Sequence, residues 1–284
     1  MINEVIIKSP AKLNLHLRVF PKRSDGYHDI ESLFQAVSLF DEVIVTKSVN
    51  DRKCMVNVTS IELPLENTLT VAYREFCSYT GITSGVDVRL IKQIFSGAGL
   101  GGGSSNGAAM ITALDSLFDT KLTKDEKVAI GAKVGSDVPF FVYGGAAIVT
   151  GRGEFVRSVD MRNDLFFVVI MPDLHSSTKE AFALFDDYDD SSSRYLNLPE
   201  VEQAYYEPVD EWTFSNSFTN PLVKKFPVIA CALQDLTVNG ADFAQMSGSG
   251  AAVYGVFKSE VIAEEAYTRL YKKWTCRLVR SFST

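Results

Sequence analysis

The chain has 284 residues, 46% hydrophobic and 22% charged, with a formal net charge of −7. This is the composition of an ordinary globular protein with room for one large or two moderate domains. Its acidity argues against a nucleic-acid partner, since general nucleic-acid binders are usually basic. MINEVIIKSPAK carries Glu4 and no long apolar core, and the apolar runs near 138–149 and 165–172 fall short of the ~20 residues of a membrane span. A cytoplasmic protein with no membrane partner is therefore expected. Cys54, Cys77, Cys231 and Cys276 form no C-x-x-C pair, and His16, His28 and His175 show no metal spacing. Buried free thiols are the expectation for the former.

Residues 4–19 read as strands interrupted at Ser9-Pro10. In AKLNLHLRVF, period-two alternation sets Lys12, Asn14 and His16 on one face and Leu13, Leu15 and Leu17 on the other. That polar face is expected to be the solvated side of an antiparallel sheet unless it carries chemistry. Asp25-Gly26 makes a turn that presents Tyr27 and His28. These two either hold a flat ring or simply pack the turn. Residues 29–40 fit helix or strand, and strands follow at 41–48 and 53–60. Asn67 caps a helix carrying Leu69, Ala72, Tyr73 and Phe76 that Gly81 ends, and 85–92 alternates as a strand.

Residues 94–118 organise the chain. Gly97, Gly99, Gly101, Gly102 and Gly103 lead into a helix whose Met110, Ala113, Leu114, Leu117 and Phe118 share one face. Ser104 or Ser105 is expected to cap it. Bare glycine amides at a helix start form an anion site, for which a triphosphate is the obvious guest. No lysine precedes Ser104, so this is not the common phosphate loop. Gly97, Gly99 and Gly102 satisfy G-x-G-x-x-G, but Lys121 and Leu122 stand where a ribose-binding acid belongs. A flexible linker would not run into so apolar a helix face.

Thr123 and Glu126 predict a capping box for a helix closing at Gly135. Asp137 then starts another helix, with Pro139 in its first turn. An Asp there is often only a cap. A hairpin is expected over 144–159 and a strand over 165–172. A short helix follows from Thr178 to Phe185, and DDYDDSSS (186–193) reads as a mobile acidic loop. Asn220-Pro221 starts a helix with Phe226, Ile229, Leu233 and Leu236 on one side. SGSG (247–250) reads as a second amide loop or a plain turn, with a strand at 251–257. A helix from Ser259 turns Tyr267, Leu270 and Tyr271 inward, and a strand at 275–281 ends the chain. The mixture, without a steady βαβ rhythm, predicts an α+β fold in two layers.

Taken in order, PAKLNL (10–15), GAGLGGGSSN (97–106) and MSGSGAAVYGVF (246–257) resemble the GHMP kinases, a superfamily of small-molecule kinases. DGYH (25–28) and GSDVPFF (135–141) narrow the resemblance to a branch whose acceptor is a cytidine-diphosphate conjugate of a methylated polyol. The resemblance runs through nearly the whole chain, most strongly in its first 155 residues. It implies a ribosomal protein S5 domain 2-like N-terminal domain, 1–158, and a ferredoxin-like C-terminal domain, 159–284. It also implies ATP with Mg2+, the nucleotide held by Phe95, Ser96, Gly97, Ala98, Gly99, Leu100, Gly101, Gly102, Gly103, Ser104 and Ser105. Lys12 and Asp137 become the catalytic pair. Asn14 and Asp137 would contact the polyol, and Tyr27, His28 and Phe182 the cytosine. Metal ligands and oligomeric state, monomer or homodimer, stay open. Three departures stand out: Phe95 replaces a usual proline, Gly107 a commoner alanine, and Asn216-Ser217-Phe218 an Asn-Asp motif. A homoserine or mevalonate-type kinase, or a non-catalytic nucleotide-binding module on the same fold, are the competing expectations.

Overall fold

The computed structural model describes residues 2–49, 53–59, 63–174, 176–188 and 195–283. These fall into two compact units interleaved along the chain: Met1–Ala11, Leu39–Ile94 and Gly101–Gly144 in the first, Lys12–Ser38, Phe95–Leu100 and Gly145–Thr284 in the second. Strands β1 (Glu4–Lys22) and β2 (His28–Lys47) contribute to both. β1 is unbroken through Ser9-Pro10, contrary to expectation. Among the strands described it pairs with β2 alone, and an edge strand tolerates a proline that a central strand does not. The ambiguous stretch 29–40 is strand throughout.

In the first unit β3 (Cys54–Val58) runs parallel to β4 (Val86–Ile91), which pairs antiparallel with β2 from Glu42↔Ile91 to Lys47↔Val86. Val86, Val88 and Leu90 are buried while Asp87 and Arg89 are exposed, the alternation of a sheet with one covered face. Helices α1 (Thr68–Thr80), α2 (Gly102–Phe118), α3 (Lys124–Val134) and α4 (Val138–Tyr143) pack on one another. The predicted caps of α1 and α3 are present: Asn67 with Thr70, and Thr123 with Glu126, form capping boxes. The predicted serine cap of α2 is not. The helix begins earlier, its N-cap is Gly101 at φ 69°, and Ser104 and Ser105 lie inside it. Gly107 has a packing role. A Cβ there would lie 3.2 Å from Val134 and 3.6 Å from Val138, so its absence lets α2 approach α3 and α4.

In the second unit β2 pairs antiparallel with β5 (Ala146–Gly151) from Ile30↔Gly151 to Gln35↔Ala146, and β5 forms a hairpin with β6 (Phe155–Val159). The remainder is β7 (Phe166–Met171), α5 (Thr178–Asp186), α6 (Leu198–Tyr206), α7 (Thr219–Lys225), α8 (Pro227–Val238), β8 (Phe243–Met246), β9 (Val253–Phe257), α9 (Glu260–Leu270) and β10 (Thr275–Arg280). The sheet order is β10-β7-β9-β8 with every neighbour antiparallel, the ferredoxin-like arrangement. Val168, Ile170, Leu222, Ile229, Leu236, Val253 and Ala266 meet in its core.

Three further expectations change here. The helix from Asn220 is two, α7 and α8, because Pro227 opens a new first turn where its missing N–H costs nothing. Tyr271 is 64% exposed, one residue past the end of α9. All four cysteines are free thiols, but Cys231 is exposed and Cys54 and Cys77 are half-buried. Of the expected acidic loop, 189–193 lies outside the described residues, as does His175. Among the described residues no helix is long and apolar enough to cross a membrane.

Candidate active site

The polar face of β1 is not solvated. Lys12, Asn14 and His16 are 4%, 2% and 0% exposed, and buried polar groups require partners. Lys12 Nζ donates to Asn14 Oδ1 and stands 4.4 Å from the Phe34 ring centroid, a cation–π contact. Asn14 Nδ2 donates to Ser32 Oγ at 3.0 Å, and Ser32 donates to the His16 carbonyl.

The same strand grips the first half of the glycine loop. Lys12 N–H donates to Leu100 O at 3.0 Å, and Asn14 N–H to Ser247 Oγ at 3.2 Å. Ser247 Oγ donates onward to Gly99 O at 3.0 Å, and Ala252 N–H to Ala98 O at 3.3 Å. Thus SGSG forms a seat for the glycine loop, and Asn216 Nδ2 secures that seat through Met246 O (2.8 Å) and Gly248 O (2.9 Å). Ser217, standing where an Asp was expected, accepts from Val19 N–H at 2.9 Å and bonds the Tyr195 hydroxyl at 3.0 Å. Phe95 opens the loop with its ring 5.4 Å from the Arg277 guanidinium carbon.

The first unit holds the rest of the loop. No side chain caps α2 at Gly101, so first-turn N–H groups and the dipole are available to an anion. Ser105 is fixed from behind: Ser9 Oγ lies 2.8 Å from both Ser105 Oγ and Asn106 Oδ1. Asp137 occupies the N-cap position of α4, half-buried, yet its side chain makes no cap bond. A capping role alone therefore does not account for it. Ser104 Oγ lies 4.0 Å from the Cβ position of Gly135, two residues before Asp137.

Sequence reasoning passed over Lys92, which is salt-bridged to buried Asp41 at 2.9 Å and donates to Ile94 O. Its Nζ lies 3.2 Å from where a Gly102 Cβ would be, bringing a positive charge to the start of α2. The signal was present, because Lys92 falls in the alternating register of the buried Val86, Val88 and Leu90. Asp41's role needed the fold.

His28 and Phe182 do meet, with ring centroids 4.9 Å apart and planes tilted 31°. That contact leaves no room for a third ring between them, and Phe185 packs edge-on to His28 while Phe218 packs edge-on to Phe182. Phe20 O lies 2.8 Å from His28 Nδ1, and Asp186 Oδ1 3.3 Å from Nε2. A carbonyl only accepts, so Nδ1 carries a proton in that contact. Tyr27 is apart from this pair, 55% exposed, with the Arg152 guanidinium 5.0 Å over its ring.

The GHMP kinases N terminal domain family matches residues 67–145, and GHMP kinases C terminal matches 197–276. The fold and its glycine loop are those of a small-molecule kinase of the two-domain GHMP architecture. A 4-diphosphocytidyl-2-C-methyl-D-erythritol kinase of Treponema pallidum (strain Nichols) is 37% identical, over 96% of this chain and 97% of its own. One from Thermotoga maritima is 39% identical over 88% and 90%. A crystal structure of 4-(cytidine 5'-diphospho)-2C-methyl-D-erythritol kinase superposes with a TM-score of 0.83 at 27% identity, covering 98% of this chain and all of that one. Homoserine kinase from Cytophaga hutchinsonii shares the fold, with a TM-score of 0.76 at 17% identity, over 100% of this chain and 96% of its own. The chain belongs to the 4-diphosphocytidyl-2-C-methyl-D-erythritol kinase family of GHMP kinases.

Proposed function

We propose that the protein transfers the γ-phosphoryl group of ATP to a hydroxyl of 4-diphosphocytidyl-2-C-methyl-D-erythritol, in the non-mevalonate route to isoprenoid precursors. It acts in the cytoplasm, as a monomer or homodimer. Its working domains divide as 1–158, with the nucleotide loop and catalytic pair, and 159–284. The observation that carries the reading is a buried lysine–asparagine pair hydrogen-bonded through its own strand to Leu100, and through Ser247 to Gly99, in a chain alike over nearly its whole length to kinases of this name.

Phosphoryl transfer through a loose transition state is mainly positioning and charge stabilisation. The loop from Phe95 to Ser105 holds the nucleotide, with the amides ahead of Ser105, whose own N–H bonds Gly101 O at 2.9 Å, taking the phosphates. Lys12 offsets charge on the phosphoryl group in flight. Asp137 orients the acceptor hydroxyl and takes its proton, late in the transfer. Asn14 and Asp137 contact the polyol, while Tyr27, His28 and Phe182 hold the cytosine. Ser104 and Asp137 supply hard oxygen donors of the kind magnesium takes. Ser105, already bonded to Ser9, is the poorer candidate. Magnesium, when bound, neutralises the β- and γ-phosphates.

The test is coupled ADP release with Mg-ATP and the cytidine-diphosphate acceptor, against homoserine and mevalonate. Turnover with the first alone supports the reading. Turnover with homoserine or mevalonate instead moves the protein to another GHMP branch. Nucleotide binding without transfer to any acceptor makes it a binding module.

A further inference from the structure

We infer that Ser32 is a positioning residue for phosphoryl transfer, acting through Asn14 on Lys12; this rests on the kinase reading above. A primary amide has two ends of nearly the same shape and opposite hydrogen-bonding character. The surroundings of Asn14 tell them apart. Lys12 Nζ has only donors, so it selects the amide oxygen. Ser32 Oγ, 3.0 Å from Nδ2, must then accept. It is able to, because its one proton is committed to the His16 carbonyl.

Each partner therefore fixes the next in one direction: the His16 carbonyl orients the Ser32 hydroxyl, the hydroxyl orients the Asn14 amide, and the amide locates the Lys12 ammonium. Lys12, Asn14 and Ser32 are 4%, 2% and 0% exposed, so bulk water does not replace a lost partner. Ser32 itself sits at a ladder position, paired with Val149 of β5, and a strand holds a side chain more rigidly than a loop does. Without the hydroxyl, Nδ2 loses its acceptor and only the Lys12 contact still holds the amide against rotation. A rotated amide would turn its NH2 group toward the ammonium, donor against donor.

The experiment compares wild type with Ser32→Ala and Ser32→Thr in the full chain. It measures kcat and KM for ATP and for the cytidine-diphosphate acceptor, and the Asn14 side-chain amide signals by NMR. A buried donor left without its partner predicts a fall of roughly ten- to a hundredfold in kcat for Ser32→Ala. KM for ATP stays within about twofold. The Asn14 amide signals shift and exchange faster with solvent. Ser32→Thr, which keeps the hydroxyl, restores both kcat and the signals. Wild-type kcat in Ser32→Ala, or Asn14 amide signals unmoved in that variant, overturns the inference. Should Ser32→Ala not fold, Ser32→Cys fills the site with a slightly larger, weaker hydrogen-bonding group and is read by the same amide signals. A wild-type protein that releases no ADP defeats the kinase reading instead, and the amide signals still decide whether Ser32 orients Asn14.

Discussion

A Cβ built on Gly99 would lie 2.0 Å from the carbonyl oxygen of Ser247. The glycine loop and the SGSG turn thus touch backbone to backbone, at a distance only glycine permits. Gly99 also has φ +75°, the left-handed region that costs other residues about 1–2 kcal/mol. Gly99→Ala has to move one of the two backbones, and with it the Ser247 bonds to Asn14 N–H and Gly99 O. The expected outcome is a KM for ATP raised at least about tenfold, with stability lowered by roughly 2–3 kcal/mol. Steady-state kinetics and urea unfolding check it. Unchanged values would mean the turn yields without consequence for the nucleotide.

Asp137→Asn separates catalysis from capping. Asparagine is as good a helix cap as aspartate, and the Asp137 side chain makes no cap bond to lose. Asparagine also keeps the size and one oxygen of the side chain, so the fold should be retained. Loss of the proton acceptor should cut kcat by about two to four orders of magnitude, with ATP affinity nearly unchanged. Isothermal titration with a non-hydrolysable ATP analogue, beside turnover, reads both. Near-normal turnover would remove Asp137 from the role of base.

His16 should make stability depend on pH. Burial, and next the nearby positive charge of Arg18, lower its pKa to about 4 from the ordinary 6.5. The unfolded chain takes up a proton near pH 6.5, while the folded protein resists until about pH 4. Across that window the unfolded state binds more protons, so stability is fully present above it and falls as pH falls through it. At pH 5 the loss from this one group is about 2 kcal/mol. His16→Phe leaves Ser215 N–H without its 3.3 Å acceptor, a cost that is the same at every pH. Urea unfolding at pH 7.5 and pH 5 should therefore show a smaller drop in the variant than in wild type. Equal drops would show that His16 does not govern the slope.

The features legible in advance were those with local causes. Asn67 and Thr123 predict their helix starts because a cap needs only its own turn, and Gly81 predicts a stop for the same reason. The glycine loop, Lys12, Asn14 and Asp137 were marked by residue type and spacing. What escaped depends on distant partners. β1 continues through Pro10 because of its place at a sheet edge. His16 is buried because residues some two hundred positions on, Phe214 and Ser215, cover it. Ser104 and Ser105 looked like caps, but Gly101 starts the helix earlier and leaves Ser105 to Ser9. Tyr27 and His28 are adjacent in sequence yet differ in exposure, 55% against 7%, since only His28 turns into the Phe182 cluster.

Asp41 is 0% exposed, and its Oδ1 accepts from Gln93 N–H at 2.7 Å and Ile94 N–H at 2.8 Å while Oδ2 meets Lys92 Nζ at 2.9 Å. One carboxylate thereby fixes the chain direction just before the glycine loop and balances the ammonium beside Gly102. Removing it strands a buried cation and two amides at once, for which about 3–5 kcal/mol is the expected cost. Lys92→Met leaves the carboxylate its two amide donors and should cost less. In Asp41→Ala with Lys92→Met no buried charge remains unbalanced, so the double variant should be more stable than the sum of the two losses implies, by at least about 1 kcal/mol. Urea unfolding of wild type, both single variants and the double variant gives that coupling directly. Additive losses would mean that the amides, and not the ion pair, are what Asp41 serves.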